Sequence, residues 1–215
     1  MIRKIKQTTS EKFLLSFFIV LGIVAFYIFI ILPQKCLFVE NYDPKKLNFK
    51  NPENIAVLNV NCGNIIIKLY PDISPKSVER FKMLVSLGKY DDIAFHRVIK
   101  NVLVQSGDLE FGKKDNYHYL YIGSGKSGYG MIKSELNDQT EFKAGTVGMA
   151  RTSNLNTEDS QFFILLQNAP LFKGEYTPIG EVIYGLEILN TITDEHRREY
   201  VFRPDFINSF KLFIK

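Results

Sequence analysis

The chain has 215 residues, 46% hydrophobic and 23% charged, enough for one domain with a real core plus an appendage. Of its net charge of +4, Arg3, Lys4, Lys6 and Lys12 against Glu11 place +3 at the extreme N-terminus, so the remainder is close to neutral and lacks the clustered basic face of a nucleic-acid binder. The two cysteines, Cys36 and Cys62, form no CxxC pair, which speaks against a metal or redox site; two free thiols are expected, with a disulfide between them open if the domain is exported.

Residues 13–32 carry no charge and read FLLSFFIVLGIVAFYIFIIL. As a helix this run is about 30 Å long, the thickness of a bilayer's hydrocarbon layer. A buried core helix is rarely apolar on every face over that length. A cleavable signal has a shorter apolar core and a small-x-small site, whereas Pro33, Gln34 and Lys35 follow here. The residues before Cys36 are likewise not the small ones of a lipoprotein signal. The expected organisation is a cytoplasmic basic N-terminus over 1–12, a transmembrane signal-anchor over 13–32, a proline-containing linker over 33–52 and a domain over 53–215. The basic cluster before the span puts that domain on the non-cytoplasmic side, the periplasm in a bacterium, although Lys35, Lys45 and Lys46 after the span oppose this in part.

Two β-rich runs in residues 55–70 flank Asn61-Cys62-Gly63-Asn64, a hairpin turn. A helix follows, with Ser74 as N-cap, Pro75 at the first position, a face of Val78, Phe81, Leu84 and Val85, and Gly88 as the stop. Short strands are predicted over 94–99, 102–105, 146–150, 162–166 and 179–183, a second helix over 186–192 and a closing strand over 206–214. A glycine-rich loop spans 123–130. Many short strands with two helices and no βαβ alternation predict a mostly β fold, a closed antiparallel barrel with helices at its ends.

Phe95-His96-Arg97-Val98 falls on a predicted strand, so Phe95 and Arg97 share one face and His96 takes the other. His96 by itself reads as a buried, hydrogen-bonded structural residue. In order, FHRV, QSGD, a glycine-rich stretch ending GYG with Glu135 beyond it, GTVGMAR, SQFFI and YTPIGEVIYG resemble the cyclophilin family of peptidyl-prolyl cis-trans isomerases. DISPKSVERF and GKYDDIAFHR agree as well, so the resemblance covers about residues 54–214. It implies an eight-stranded antiparallel β-barrel capped by two α-helices. It also implies a rotamase that needs no cofactor and acts on proline-containing polypeptides.

The resemblance implies that Arg97 is the catalytic arginine and that Gln105 orients it and contacts the peptide. Phe163 would be the floor of the proline pocket, with Phe95, Val102, Leu103 and Phe172 among its surroundings. Ala150, Arg151, Gln161 and Tyr176 would line the peptide groove. Val102 stands where the family usually has Phe, Leu103 where it has Met, Tyr176 where it has His, Arg151 where it has Asn and Ser106 where it has Gly. Leu171 or its neighbour replaces a tryptophan, since the chain has none, and weakened cyclosporin binding is expected. The alternatives are a non-catalytic cyclophilin-like binding module at the membrane and a ligand-carrying barrel of the lipocalin sort. The latter does not explain the ordered motifs. The 123–130 loop lacks the Gly-Lys-Ser/Thr ending of a phosphate cradle.

Overall fold

The computed structural model describes residues 8–31, 35–195 and 199–214. The chain forms two compact units, Met1–Phe38 and Val39–Lys215. Arg3, Lys4, Lys6 and residues 32–34, parts of the expected N-terminus, span and linker, lie outside the described residues.

In the first unit, helix α1 spans Thr9–Phe26 and continues as a π-helical stretch, Tyr27–Ile31. Its start is set by a reciprocal cap: the Glu11 amide donates to the Thr8 hydroxyl at 3.3 Å, and the Thr8 amide donates to the Glu11 carboxylate at 2.7 Å. Thr9–Ile31 is long and apolar enough to cross a membrane.

In the second unit, eight strands form one antiparallel sheet: β1 Ile55–Val60, β2 Gly63–Leu69, β3 Arg97–Ile99, β4 Leu103–Ser106, β5 Thr146–Met149, β6 Phe162–Leu165, β7 Pro178–Tyr184 and β8 Ser209–Leu212. Their order is β3-β4-β6-β5-β7-β2-β1-β8. Val60 pairs with Gly63, which narrows the first turn to Asn61-Cys62. Both cysteines are disulfide-bonded, so the expectation of free thiols does not hold.

The expected closed barrel is an open half-barrel. Among the described residues no ladder joins β3 to β8, the two ends of the sheet. The chain just before β8 occupies the outer edge of β3 instead. Val98 donates to the Glu199 carbonyl at 2.8 Å, Val201 to that of His96 at 2.9 Å, and Phe95 to that of Asp205 at 2.9 Å. Those bonds satisfy the edge amides that a closing strand would have used. They also shorten β3 and β8 relative to expectation, because residues 94–95 and 206 pair locally outside the ladder.

Helix α2, Pro75–Ser86, buries Val78, Phe81, Leu84 and Val85, and Gly88 follows it with φ +63°, a left-handed conformation suited to glycine. Ser74 does not cap it, because its hydroxyl donates to the Pro178 carbonyl at 2.6 Å. The cap comes from Glu135, whose carboxylate accepts from the Lys76 and Ser77 amides at 3.1 and 2.8 Å. The second expected helix is a single turn, α3 Leu186–Leu189. Just past its end the Thr191 hydroxyl donates to the Ile188 carbonyl at 2.7 Å, a local bond that competes with helix continuation.

Residues 39–52, read from sequence as linker, belong to the second unit from Val39 onward. The Asn41 side chain accepts from the Asn64 amide at 3.1 Å, Tyr42 packs on Tyr184, and Phe49 packs edge-on against Phe213. The main core gathers Leu58, Ile65, Val104, Val147 and Ile164 with the rings of Phe81, Tyr90, Phe162 and Phe210. Phe81 meets each of the other three rings at 5.3–5.4 Å. Each such side chain contributes about 1.5–3 kcal/mol on leaving water. A second cluster of Leu103, Phe142, Phe163 and Leu165 is separate from the first.

Candidate active site

The sheet builds the site through its register. Arg97 pairs with Gln105 across β3–β4, Gln105 with Phe163 across β4–β6, and Phe163 with Gly148 across β5–β6. Directly paired residues share a face, so these four form one transverse row. The adjacent row, Val98, Val104, Ile164 and Val147, enters the main core. Strands lie about 4.8 Å apart, so the row sets the backbones of Arg97 and Phe163 about 10 Å from each other.

A polar relay crosses this surface. Arg97 Nη1 donates to Gln105 Oε1 at 3.2 Å, Gln105 Nε2 donates to Gln161 Oε1 at 3.0 Å, and Gln161 Nε2 donates to the Gly123 and Gly125 carbonyls at 3.0 and 3.2 Å. On its other side Arg97 donates from Nε and Nη2 to one oxygen of Glu199, at 2.8 and 2.7 Å. Arg97, Gln105, Gln161, Arg151, Glu199 and Tyr200 line a cleft of about 580 Å³. Such a cleft is of ligand-pocket size.

The glycine-rich loop that borders the cleft is wrapped around a buried carboxylate. Asp108 accepts from the amides of Gly123 at 2.7 Å, Gly125 at 3.1 Å, Phe111 at 2.9 Å and Glu110 at 3.1 Å. A Cβ on Gly125 would lie 2.0 Å from the Asp108 carboxylate, which is why glycine stands there. Farther along, Asp159 accepts from the Ser127 amide at 2.7 Å and from Arg80 at 3.0 Å, while Arg80 also donates to the Gly130 carbonyl at 2.8 Å. Helix α2 thereby ties down the far end of the loop.

The apolar half is aromatic. Phe163, Phe172 and Tyr176 meet pairwise at 5.6, 5.3 and 4.6 Å between ring centres. Ile99, Val102 and Ala150 pack against the same cluster. The Arg151 guanidinium lies 4.9 Å over the Tyr176 ring and donates to the Glu175 carbonyl from Nε and Nη2, so it forms a wall of the cleft. Leu171, next to Phe172, is 87% exposed.

The structure therefore brings together Arg97, Gln105, Val102, Leu103, Ala150, Arg151, Gln161, Phe163, Phe172 and Tyr176. It does not bring Phe95 to them. That ring is fully buried in the main core, because β3 begins only at Arg97 and the alternation does not extend back two residues. His96 is fully buried, as expected. Burial pushes its pKa down to about 4, against the opposing pull of the Asp108 charge, so the ring is neutral at physiological pH. Sequence reasoning missed Glu199 and Tyr200, which reach the site by pairing with β3 from far along the chain. The only signal there was an extended Glu-Tyr-Val-Phe run before the closing strand.

The family model for cyclophilin-type peptidyl-prolyl cis-trans isomerase/CLD matches residues 55–211. A probable peptidyl-prolyl cis-trans isomerase of Brucella suis is 39% identical over 143 residues, 66% of this chain and 72% of that protein. A peptidyl-prolyl cis-trans isomerase of Arabidopsis thaliana is 36% identical over 139 residues, covering 63% and 79%. Among solved structures, a cyclophilin-type isomerase of Cryptosporidium parvum, crystallised in the presence of the dipeptide Ala-Pro, superposes with a TM-score of 0.65 at 26% identity, over 75% of this chain and 99% of that one. Motif order, sheet topology and these likenesses converge, and the chain belongs to the cyclophilin-type peptidyl-prolyl cis-trans isomerase family.

Proposed function

We propose that this isomerase accelerates rotation about X–Pro bonds by donation from Arg97 to the prolyl nitrogen, on proline-containing polypeptides held near a membrane. Amide resonance sets a barrier of about 18–20 kcal/mol, and rotation breaks it. The prolyl nitrogen then becomes pyramidal and gains a lone pair. A fixed donor aimed at that lone pair stabilises the twisted state more than the planar one, and only that difference lowers the barrier. Arginine is permanently charged and rich in donors. The observation that carries the reading is the row in which Arg97 and Gln105 stand beside Phe163, a donor set next to an apolar surface able to take a pyrrolidine ring.

Gln105 holds the guanidinium, Gln161 holds Gln105, and Phe163, Phe172, Leu103 and Val102 receive the proline, while Ala150, Arg151 and Tyr176 border the chain on either side. Val102 in place of a larger ring makes the niche shallower. The exposed Leu171, in a chain with no tryptophan, weakens cyclosporin binding.

The α1 helix serves as an uncleaved anchor, with the basic N-terminus in the cytoplasm and the isomerase domain outside it. Support comes from the apolar run, the position of the basic residues and the disulfide-bonded state of both cysteines, since such bonds persist in oxidising compartments. Tethering supplies high local concentration in place of tight binding.

A protease-coupled assay on an Ala-Pro peptide tests the chemistry: Arg97→Ala is expected to reduce the rate to near the uncatalysed one. Equal slow rates for parent and variant would favour the non-catalytic binding module. Recovery of the mature protein in the soluble fraction without residues 1–35 would refute the anchor.

A further inference from the structure

We infer that Glu199 is a positioning residue for the isomerisation, clamping the Arg97 guanidinium from the side opposite Gln105; this rests on Arg97 being the donor. The guanidinium has five N–H groups. Nε and Nη2 each give one to Glu199 Oε2, at 2.8 and 2.7 Å, and Nη1 gives one to Gln105 Oε1 at 3.2 Å. One N–H on each terminal nitrogen remains for a substrate. A planar group bonded on two sides has little freedom to rotate, and an arginine left alone at a cleft would have to lose that freedom in the transition state.

The placement of Glu199 is built by the backbone rather than by a chance meeting of two long side chains. Val98 donates to the Glu199 carbonyl at 2.8 Å and Val201 donates to the His96 carbonyl at 2.9 Å. Arg97 and Tyr200 are bridge partners between those bonds. Tyr200, 40% exposed, packs on its inner side: its ring stacks on His96 at 6.4 Å between centres, and a Cβ on Gly123 would lie 2.8 Å from it. The segment that keeps the sheet from closing is thus the segment that delivers the carboxylate.

Glu199 is more than half exposed, so the pair is screened and its effect is modest. In the full-length chain in detergent, Glu199→Ala is expected to lower kcat about threefold with KM unchanged, the scale of an exposed ion pair. Glu199→Gln keeps an acceptor oxygen and should recover most of the loss. Glu199→Lys repels the guanidinium and should lower kcat about tenfold, with added salt restoring part of it. The Arg97 Nε–H resonance should move in Glu199→Ala and stay near the parent position in Glu199→Gln. An unmoved resonance in Glu199→Ala, or kcat at or above the parent value in both Glu199→Ala and Glu199→Lys, overturns the inference. Arg97→Ala, measured alongside, separates the two levels: if it retains parental activity, the arginine mechanism itself falls and this inference with it.

Discussion

Arg97 and Gln105 face each other as a directly paired couple across the β3–β4 ladder, and the amide oxygen of Gln105 accepts from the guanidinium at 3.2 Å. The pairing makes Gln105 the hinge of the relay, since its amide nitrogen passes the restraint on to Gln161. Gln105→Ala breaks both bonds at a half-buried site. We expect kcat/KM in a protease-coupled assay to fall about tenfold, the equivalent of one net hydrogen bond, with a thermal midpoint close to the parent's.

Gly148 tests the apolar end of the row. A Cβ there would lie 2.5 Å from the Phe163 ring, closer than any real contact. Gly148→Ala should push that ring off the sheet, lower the unfolding free energy by about 1–3 kcal/mol and reduce activity more than Gln105→Ala does. Denaturant titration measures the first effect, the coupled assay the second, and Phe163 ring resonances report the displacement.

Asp108 organises the loop beside the cleft by accepting four backbone amides. Asp108→Ala leaves those donors without a partner and should destabilise the domain by about 3 kcal/mol or more, whereas Asp108→Asn keeps one acceptor oxygen and should cost less. Hydrogen exchange at the Gly123 and Gly125 amides should accelerate in both variants before global unfolding does.

The His96 ring makes stability depend on pH. In the unfolded chain it takes up a proton below about 6.5, while in the folded state burial holds its pKa down to about 4. Between those values the unfolded state binds more protons, so stability is complete above about pH 6.5 and declines as the pH falls toward 4. At pH 5 the loss from this ring is about 2 kcal/mol relative to pH 7. Glu158, whose carboxyl burial raises, acts in the opposite sense, losing its contribution as the pH rises. Comparing parent with His96→Gln by urea titration at both pH values isolates the histidine: the variant should show a smaller decline.

Much of the site could be read from the order of its motifs, because each local segment carries its own alternation. In β4 and β6, Gln105 and Phe163 alternate with Val104 and Ile164, and period two assigns the former to one face and the latter to the core. The same rule failed one turn earlier. Period two puts Phe95 on the face of Arg97, but its amide bonds to the Asp205 carbonyl and its ring lies in the core. Ser74 likewise has the right chemistry for a cap, yet its hydroxyl is taken by Pro178 and the cap arrives from Glu135.

Sequence alone determined the apolar helix, the two-faced strands, the α2 helix with its glycine stop, and the identity of the arginine, glutamine and phenylalanine that make one row. The elements follow from local propensity and short-period patterning, which act within a few residues, whereas the three side chains are singled out by the resemblance of the ordered motifs to the cyclophilin family. Only the tertiary structure decided that the sheet stays open, that both cysteines are disulfide-bonded, and that Glu199 meets Arg97. Each of those depends on segments far apart in the chain competing for the same edge or partner, and no local pattern records which of them wins.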